Sequence, residues 1–223
     1  MPRSPLALLF LATLLVARGA GIPHGALVGH TEGDIYFSAN GAFSVPIPVR
    51  AEMGGMVTDN ANVVTFKDDF NILYIIAAFP LDSSQRWEIS IHPRQEYLQN
   101  FFAQFMLPDF RRAFAGAQVE TTATYMKNMF GGALVIYTLL PGGSMFAAKV
   151  TSIDPDRKPP VAKRGNLIFV NNDFVYVISS ELAERVTEGS AYTMTQEQED
   201  LALREKLVDM AQKIKFRAPS AAP

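Results

Sequence analysis

The amino-acid sequence predicts an α+β fold in which helices pack on a central antiparallel β-sheet. Residues 166–170 and 174–179 are runs of β-branched and aromatic side chains, which favour β-strands. The Asn-Asn-Asp sequence at 171–173 tolerates the left-handed backbone of a tight reversal, so the two runs predict a β-hairpin. Residues 195–216 then repeat apolar side chains at steps of four and three, as in a helix with one buried face. A helix of this kind must cover a sheet.

Residues 1–20 have the three-part layout of a secretory signal peptide. Arg3 precedes an apolar run at 6–16, and small residues, including Ala17 and Ala20, follow it. The apolar run is shorter than the roughly 18–20 residues that a membrane-spanning helix needs. We therefore expect cleavage near Ala20 and an exported protein, periplasmic or extracellular. Membrane association is expected only if this segment is retained.

The composition excludes several classes of protein. The 223 residues are 48% hydrophobic and 19% charged, an ordinary globular makeup, and they include no cysteine, so disulfides and thiolate chemistry are excluded. The formal net charge is −2, and removal of Arg3 and Arg18 with the signal leaves 18 basic and 22 acidic residues, a charge of −4. Because an acidic surface does not suit a phosphate backbone, we expect no nucleic-acid partner.

The N-terminal half predicts two short strands and a second hairpin. Residues 21–33 hold glycine, proline and histidine without apolar periodicity, so they are expected to form a flexible entry segment. Residues 35–37 and 42–45 predict short strands, and residues 63–66 and 72–79 predict a hairpin. Because the run at 72–79 is almost wholly apolar, we expect it near the middle of the sheet, buried on both faces.

A helical region is expected in the middle of the chain, after a brief strand at 87–91. Pro93 suits the first turn of a helix that runs to about Leu107 and ends there, since Pro108 disfavours helical geometry in the residue before it. A short helix then restarts and stops at Gly116. The apolar face of the first helix comprises Leu98, Phe101, Phe102 and Phe105.

Three antiparallel strands are predicted to follow this helical region. Residues 117–126 alternate in the manner of a strand with one solvated face, and residues 133–140 are nearly continuous apolar sequence. The Pro-Gly-Gly at 141–143 is typical of a type II turn, and we expect residues 145–153 to return as the third strand.

The C-terminal helix has a clear predicted start. Thr195 and Gln198 have capping-box spacing, and the helix presents a buried face made of Leu203, Leu207, Met210 and Ile214. We expect one α+β domain over residues 34–217. Residues 218–223 are small and proline-rich, and we expect them to form a disordered tail.

The connection at residues 154–164 is a candidate partner-binding segment. Its three prolines predict a stiff, exposed loop, and its positive charge stands out on an acidic chain. We expect this loop to favour an acidic partner surface; the alternative is a solubilising crossover between strands. The basic residues of this segment are Arg157, Lys158, Lys163 and Arg164.

No familiar catalytic or metal-binding motif is present. The sequence has no G-x-S-x-G elbow, and His92, with Ser90 as its nearest candidate nucleophile, is better explained as a residue at a helix entrance. Four residues near the N-terminus match no structural zinc pattern, and three methionines are better explained as core than as copper ligands. We therefore expect no catalytic residue, metal or cofactor. The first set is His24, His30, Glu32 and Asp34, and the second is Met126, Met129 and Met145.

From about residue 34 to 216 the chain resembles the PsbP-like fold group of exported bacterial proteins. The resemblance rests on the Ala-Phe-Ser-Val-Pro sequence at 42–46, the hairpin at 171–173 and the closing Lys-Ile-Lys-Phe at 213–216. It implies an antiparallel sheet between helices, a PsbP-like α/β sandwich. It also implies an accessory or interaction role, since the group has no shared catalytic motif. The metal-binding histidines and acids of some plant members have no counterpart here.

We therefore expect an exported, non-catalytic accessory or interaction domain that binds a protein or cell-envelope partner. Two alternatives stay open: a hydrolase-type enzyme with an unrecognised site, and a carrier of a small apolar ligand. A deep pocket with titratable groups of shifted pKa would favour the enzyme. The 16 phenylalanines and 7 tyrosines suit the carrier no better than they suit an ordinary core. The oligomeric state is left open by the sequence.

Overall fold

The computed structural model describes residues 27–153, 160–183 and 193–217. Its larger sheet is antiparallel and consists of seven strands: β4 (Met56–Asp59), β5 (Val63–Lys67), β6 (Leu73–Pro80), β7 (Gln118–Met126), β8 (Ala133–Pro141), β9 (Val161–Asn171) and β10 (Phe174–Glu181). They lie across the sheet in the order β4-β5-β6-β10-β9-β8-β7.

A smaller antiparallel sheet of four strands and five α-helices complete the described part of the chain. The small sheet has the order β1-β2-β3-β11 and consists of β1 (His30–Glu32), β2 (Ile35–Phe37), β3 (Phe43–Pro46) and β11 (Lys215–Phe216). The α-helices are α1 (Ser83–Ile91), α2 (Arg94–Phe101), α3 (Leu107–Ala113), α4 (Ala147–Ile153) and α5 (Gln196–Lys213). A 3-10 turn (Ala51–Met53) precedes β4, and a π-helical turn (Phe102–Met106) joins α2 to α3.

The hairpin of β9 and β10 lies at the centre of the larger sheet, as predicted. Asn171 pairs with Phe174, and Asn172 and Asp173 between them have φ angles of 45° and 65°. Both values are left-handed, which suits these short polar residues better than bulkier ones. Strand β6 pairs with β10 along its length, so the prediction that residues 72–79 lie near the middle of the sheet is confirmed.

Helices and the small sheet cover both faces of the larger sheet, which confirms the predicted α+β architecture. Alternate residues of β9 divide between two cores: Leu167 and Phe169 face α5 and the small sheet, whereas Ile168 and Val170 face the α1–α3 region. The first core includes Tyr36, Phe43, Phe66, Tyr176 and Leu207. The second includes Phe79, Leu98, Phe101, Phe102 and Met106.

Helix α5 begins and packs as its sequence predicts. The Thr195 side chain accepts a hydrogen bond from the Gln198 amide, and the Gln198 side chain accepts one from the Thr195 amide at 2.8 Å. The predicted buried face of Leu203, Leu207, Met210 and Ile214 is confirmed. The helix approaches β9 so closely that a Cβ added at Gly165 would lie 2.9 Å from Leu207 Cδ1.

Two segments predicted as strands are helical. Residues 87–91 belong to α1, because the Asp82 carboxylate accepts a hydrogen bond from the Gln85 amide at 2.8 Å and the Gln85 side chain accepts one in return. This capping box begins a helix where the apolar spacing suggested a strand. Most of the segment 145–153 forms α4, and the third strand after β7 and β8 is instead β9.

The prediction that Pro108 ends the long helix is also wrong. Proline lacks an N–H and its ring clashes with the carbonyl four residues earlier, here that of Gln104. The chain widens into the π-helical turn, in which the Leu107 amide donates to the Phe102 carbonyl five residues back, and then continues as α3. The helical region therefore bulges at Pro108 instead of stopping.

The ordered part of the chain begins before residue 34. Strand β1 pairs with β2, and the amides of Val28 and Gly29 donate to the Asp59 carboxylate at 2.8 and 2.7 Å. The predicted signal peptide, the first residues of the entry segment and the tail 218–223 lie outside the described residues. So do Arg157 and Lys158.

Candidate functional site

Lys163 does not lie in an exposed loop; it is buried on β9, on the face that α5 covers. Its side chain is 0% exposed, and its Nζ lies 2.6 Å from Glu120 Oε2, 3.0 Å from Glu199 Oε2 and 2.5 Å from Asp200 Oδ1. Glu120 comes from the edge strand β7, and the other two acids come from the first turns of α5. The cluster therefore ties an edge strand and a helix to the sheet.

The electrostatics of this cluster keep Lys163 charged. Burial lowers the pKa of a lysine, but hydrogen bonds to Asp200, Glu120 and Glu199 more than offset this, so the pKa of Lys163 is raised. The Tyr137 ring lies beneath the ammonium at 5.4 Å, and burial together with Asp200 raises the pKa of Tyr137 to about 12. With every strong contact made internally, Lys163 is unavailable to a partner.

Arg164 points to the opposite face of the same strand and is also buried. Its Nη2 donates to the Gly143 carbonyl at 2.9 Å and lies 3.9 Å from Glu181 Oε2. The Glu181 carboxylate accepts from the Met145 amide at 3.1 and 3.0 Å. Burial lowers the pKa of Arg164 and raises that of Glu181, and each group only partly offsets the shift of the other. This pair holds the loop before α4 against the sheet.

The expectation of an exposed basic loop over residues 154–164 is therefore wrong for residues 162–164, which are buried. Val161 to Arg164 are the start of β9, and strand alternation sends Lys163 and Arg164 into separate buried clusters. Short-range composition did not reveal this, because the acids that pair with them are distant in sequence. Arg157 and Lys158, outside the described residues, remain a prediction.

A cleft lined by polar and aromatic side chains lies instead between α1, α2 and the π-helical turn. We call it the α1–α2 cleft. Its volume is about 120 Å³, and its lining combines three amides, one acid, one histidine and three aromatic rings. The widened turn at Pro108 shapes one wall, since it carries two of these residues, Gln104 and Phe105. The remaining lining residues are Gln85, Glu88, His92, Tyr97, Asn100 and Phe101.

Tyr97 is the residue of this cleft whose buried side-chain hydroxyl has no hydrogen-bond partner among the described residues. The residue is 4% exposed. Burial raises the pKa of Tyr97, and the carboxylates of Glu88 and Asp82 raise it further. An unpaired buried hydroxyl lowers the stability of the folded state. A hydrogen bond from a ligand atom would remove that cost.

Beside the cleft, helix α1 exposes two large apolar side chains. Trp87 is 62% exposed and Ile91 is 50% exposed, and their spacing of four residues puts them on one side of the helix. We call this pair the α1 face. Glu88 and His92, which line the cleft, directly follow Trp87 and Ile91 in the sequence, a rotation of about 100° around the helix. Within α1 only Gln85 is buried, so the α1 face contributes little to the core.

The residues considered for catalysis do not form a catalytic arrangement. The Ser90 hydroxyl donates to the Trp87 carbonyl of its own helix at 2.7 Å, so it does not face His92. His92 Nδ1 lies 3.7 Å from Glu96 Oε1 at the junction of α1 and α2. Within the described residues there is no group of three or more histidine, cysteine or acidic side chains that would hold a metal. His30 and Glu32 are exposed on β1, and His24 lies outside the described residues.

The α1–α2 cleft was not predicted from the sequence, because residues 87–91 of α1 were predicted to form a strand. The signal that identifies it is Asp82 with Gln85 three residues later, followed by Trp87 and Ile91 one helical turn apart. A strand would have placed Trp87 and Ile91 on one face too, so apolar spacing alone does not separate the two interpretations.

Comparisons with known proteins find similarity of structure only. No protein-family model matches the sequence, and no curated protein matches it either. The solution structure of cyanobacterial PsbP (CyanoP) from Synechocystis sp. PCC 6803 is similar, with a TM-score of 0.49 and 11% identity, covering 89% of this chain and 98% of that one. The Saccharomyces cerevisiae Ran-binding protein Mog1p is similar with a TM-score of 0.43 and 10% identity, covering 84% of this chain and 96% of that one.

None of the described helices is both long and apolar enough to cross a membrane.

Proposed function

We propose that this protein is an exported, non-catalytic interaction domain that binds a protein partner through the α1 face and the α1–α2 cleft. The observation that supports this most directly is the exposure of Trp87, the one tryptophan of the sequence. The residue is 62% exposed on α1 and does not pack into the core. Tryptophan is enriched among the residues that dominate binding energy at interfaces. The cleft beside it offers a place for one anchoring side chain.

The alternatives have weaker support. A hydrolase of the expected kind needs a base beside its nucleophile, and Ser90 is turned back on its own helix. A carrier of an apolar ligand needs a larger and less polar cavity, since such pockets are typically about 300–1,000 Å³. The α1–α2 cleft is about 120 Å³ and mostly polar in its lining.

Export is the second part of the proposal and rests on the signal-like residues 1–20. Mass spectrometry of the protein from its native cells should find a mature N-terminus near Ala20. An intact Met1 on the mature protein would contradict export by a cleaved signal.

The docking site is tested by cross-linking from a matched pair of positions. A photoreactive aromatic amino acid at position 87, which keeps a large ring there, is compared with one at Leu201, which is apolar, 44% exposed and on α5, across the larger sheet from α1. Cell extract should give a discrete cross-linked partner from position 87 only. In a separate affinity capture without cross-linker, Trp87→Ala should abolish capture of that partner while Leu201→Ala leaves it unchanged. Equal cross-linking from both positions, or capture that survives Trp87→Ala, would contradict the proposed docking face.

A further inference from the structure

The α1–α2 cleft has the size of a site for a single side chain. Its volume of about 120 Å³ is well below the roughly 300–1,000 Å³ of pockets for drug-sized ligands. Two of its lining residues, Glu88 and His92, directly follow Trp87 and Ile91 in the sequence, so a partner on the α1 face lies next to the cleft. One long side chain of that partner is therefore the ligand that suits the cleft in both size and position.

The charge of the cleft is negative. Glu88 is the acid in its lining, and no lysine or arginine lines it. The arginines of α1 and α2 contact groups outside the cleft lining: Arg86 Nε lies 3.1 Å from Asp173 Oδ1, and Arg94 Nη1 donates to the Val170 carbonyl at 3.0 Å. The Asp82 carboxylate adds to the negative field, which also acts on the Tyr97 hydroxyl. A cation gains Coulomb energy in this cleft, whereas an anion loses it.

The hydrogen-bonding groups and rings of the cleft also suit a basic side chain. The Tyr97 oxygen and the amide oxygens of Asn100 and Gln104 are acceptors, and an arginine brings five N–H donors and no acceptor. The Phe101 and Phe105 rings lie 5.3 Å apart, tilted by 41°, and give the apolar stem of the side chain a surface to pack on.

We propose, building on the docking role above, that the α1–α2 cleft receives an arginine side chain of the protein partner. The guanidinium pairs with Glu88 and donates to the Tyr97 oxygen, and the neighbouring residues of the partner cover the α1 face. The partner is thus a protein that presents an arginine beside apolar residues, which suits the acidic charge of this chain.

The test uses the full folded protein and three probes. The first is an acetylated peptide amide with one arginine between alanines, the second replaces the arginine by citrulline, its neutral isostere, and the third is guanidinium chloride alone. Binding is followed by NMR through the side-chain amide signals of Asn100 and Gln104, and by the fluorescence of Trp87. The arginine peptide should bind about tenfold more tightly than the citrulline peptide.

Three variants identify the groups responsible. Glu88→Gln should weaken the arginine peptide about tenfold and leave the citrulline peptide unchanged, whereas the control Glu205→Gln, an exposed acid on α5, should change neither. Tyr97→Phe should weaken the arginine peptide about threefold without loss of thermal stability, because its hydroxyl has no partner among the described residues.

Equal affinity for the two peptides, or an arginine affinity that Glu88→Gln leaves unchanged, would overturn the proposal. The proposal would also be overturned if guanidinium alone bound as tightly as the arginine peptide without changing the fluorescence of Trp87. That result would assign a free cation, and not a partner side chain, to the cleft. Each of these results leaves the cross-linking from position 87 intact, so failure of the arginine site is distinguishable from failure of the docking face.

Discussion

Lys163 carries a positive charge where solvent does not reach, and three carboxylates around it offset the cost of burial. The four groups come from β7, β9 and α5, so the cluster depends on long-range packing. Removal of the one cation would leave three acids close together in a partly buried site. Lys163, predicted to be exposed, is instead part of an internal charge cluster.

Lys163→Met should lower the free energy of unfolding by about 3–5 kcal/mol, since breaking a buried ion cluster leaves uncompensated charge. Denaturant unfolding at neutral pH measures this. The control Lys213→Met removes an exposed lysine that lies 2.6 Å from Asp209 on α5, and should cost about 0.5 kcal/mol or less. Similar losses in both variants would contradict the role assigned to burial.

Glu181 gives a pH dependence of unusual sign for an acid. Burial raises its pKa above 4.5, so the folded state holds the proton more tightly than the unfolded state. The stabilisation is present below about pH 4.5 and is lost as the pH rises through the folded-state pKa. Glu181→Gln should remove this decline from the pH profile of unfolding free energy; a profile identical to that of the wild type would exclude Glu181 as its source.

At the scale of elements, α5 illustrates what local sequence determines. Its capping box and its apolar spacing are both short-range signals, and both agree with the structure. The hairpin at Asn172 and Asp173 is similar, because residues that tolerate left-handed backbone mark it directly. These elements were predicted from sequence for that reason.

Leu207→Asp should unfold the domain or destabilise it by more than the roughly 2–5 kcal/mol typical of Leu→Ala in a core. Leu207 is fully buried between α5 and β9, and an aspartate there loses its hydration without a partner. Thermal melting is the measurement. Leu201→Asp, on the exposed side of the same helix, should change stability by no more than about 0.5 kcal/mol, and a comparable loss there would show that the helix faces were assigned wrongly.

The π-helical turn at Pro108 and helix α1 were not predicted because their local sequence is compatible with more than one structure. Pro108 was expected to break a helix, but the π-helical turn supplies the Leu107 amide with another acceptor, and tertiary packing of Phe102 and Met106 favours the continuous path. Helix α1 was missed because the spacing of Trp87 and Ile91 fits both a helix and a strand. The candidate site lies on these two elements, so the site was less predictable than the sheet.

At the scale of the whole molecule, the larger sheet separates two cores that are covered by different elements. The face beneath α5 and the small sheet is closed by core packing and by the Lys163 cluster. The other face carries α1–α3, where the α1 face and the α1–α2 cleft leave apolar and polar groups available. Long-range contacts bury Lys163 and Arg164, two of the four residues of the predicted basic patch.

The proposed docking role requires that the α1 face becomes buried in a complex with a protein partner. Because Trp87 is the one tryptophan of the chain, excitation of tryptophan in this protein reports on that face alone. With a tryptophan-free preparation of the cross-linked partner, the Trp87 emission should shift to shorter wavelength and become shielded from iodide quenching as the complex forms. Emission and quenching that stay unchanged while the complex forms would place the interface elsewhere and contradict the proposed docking face.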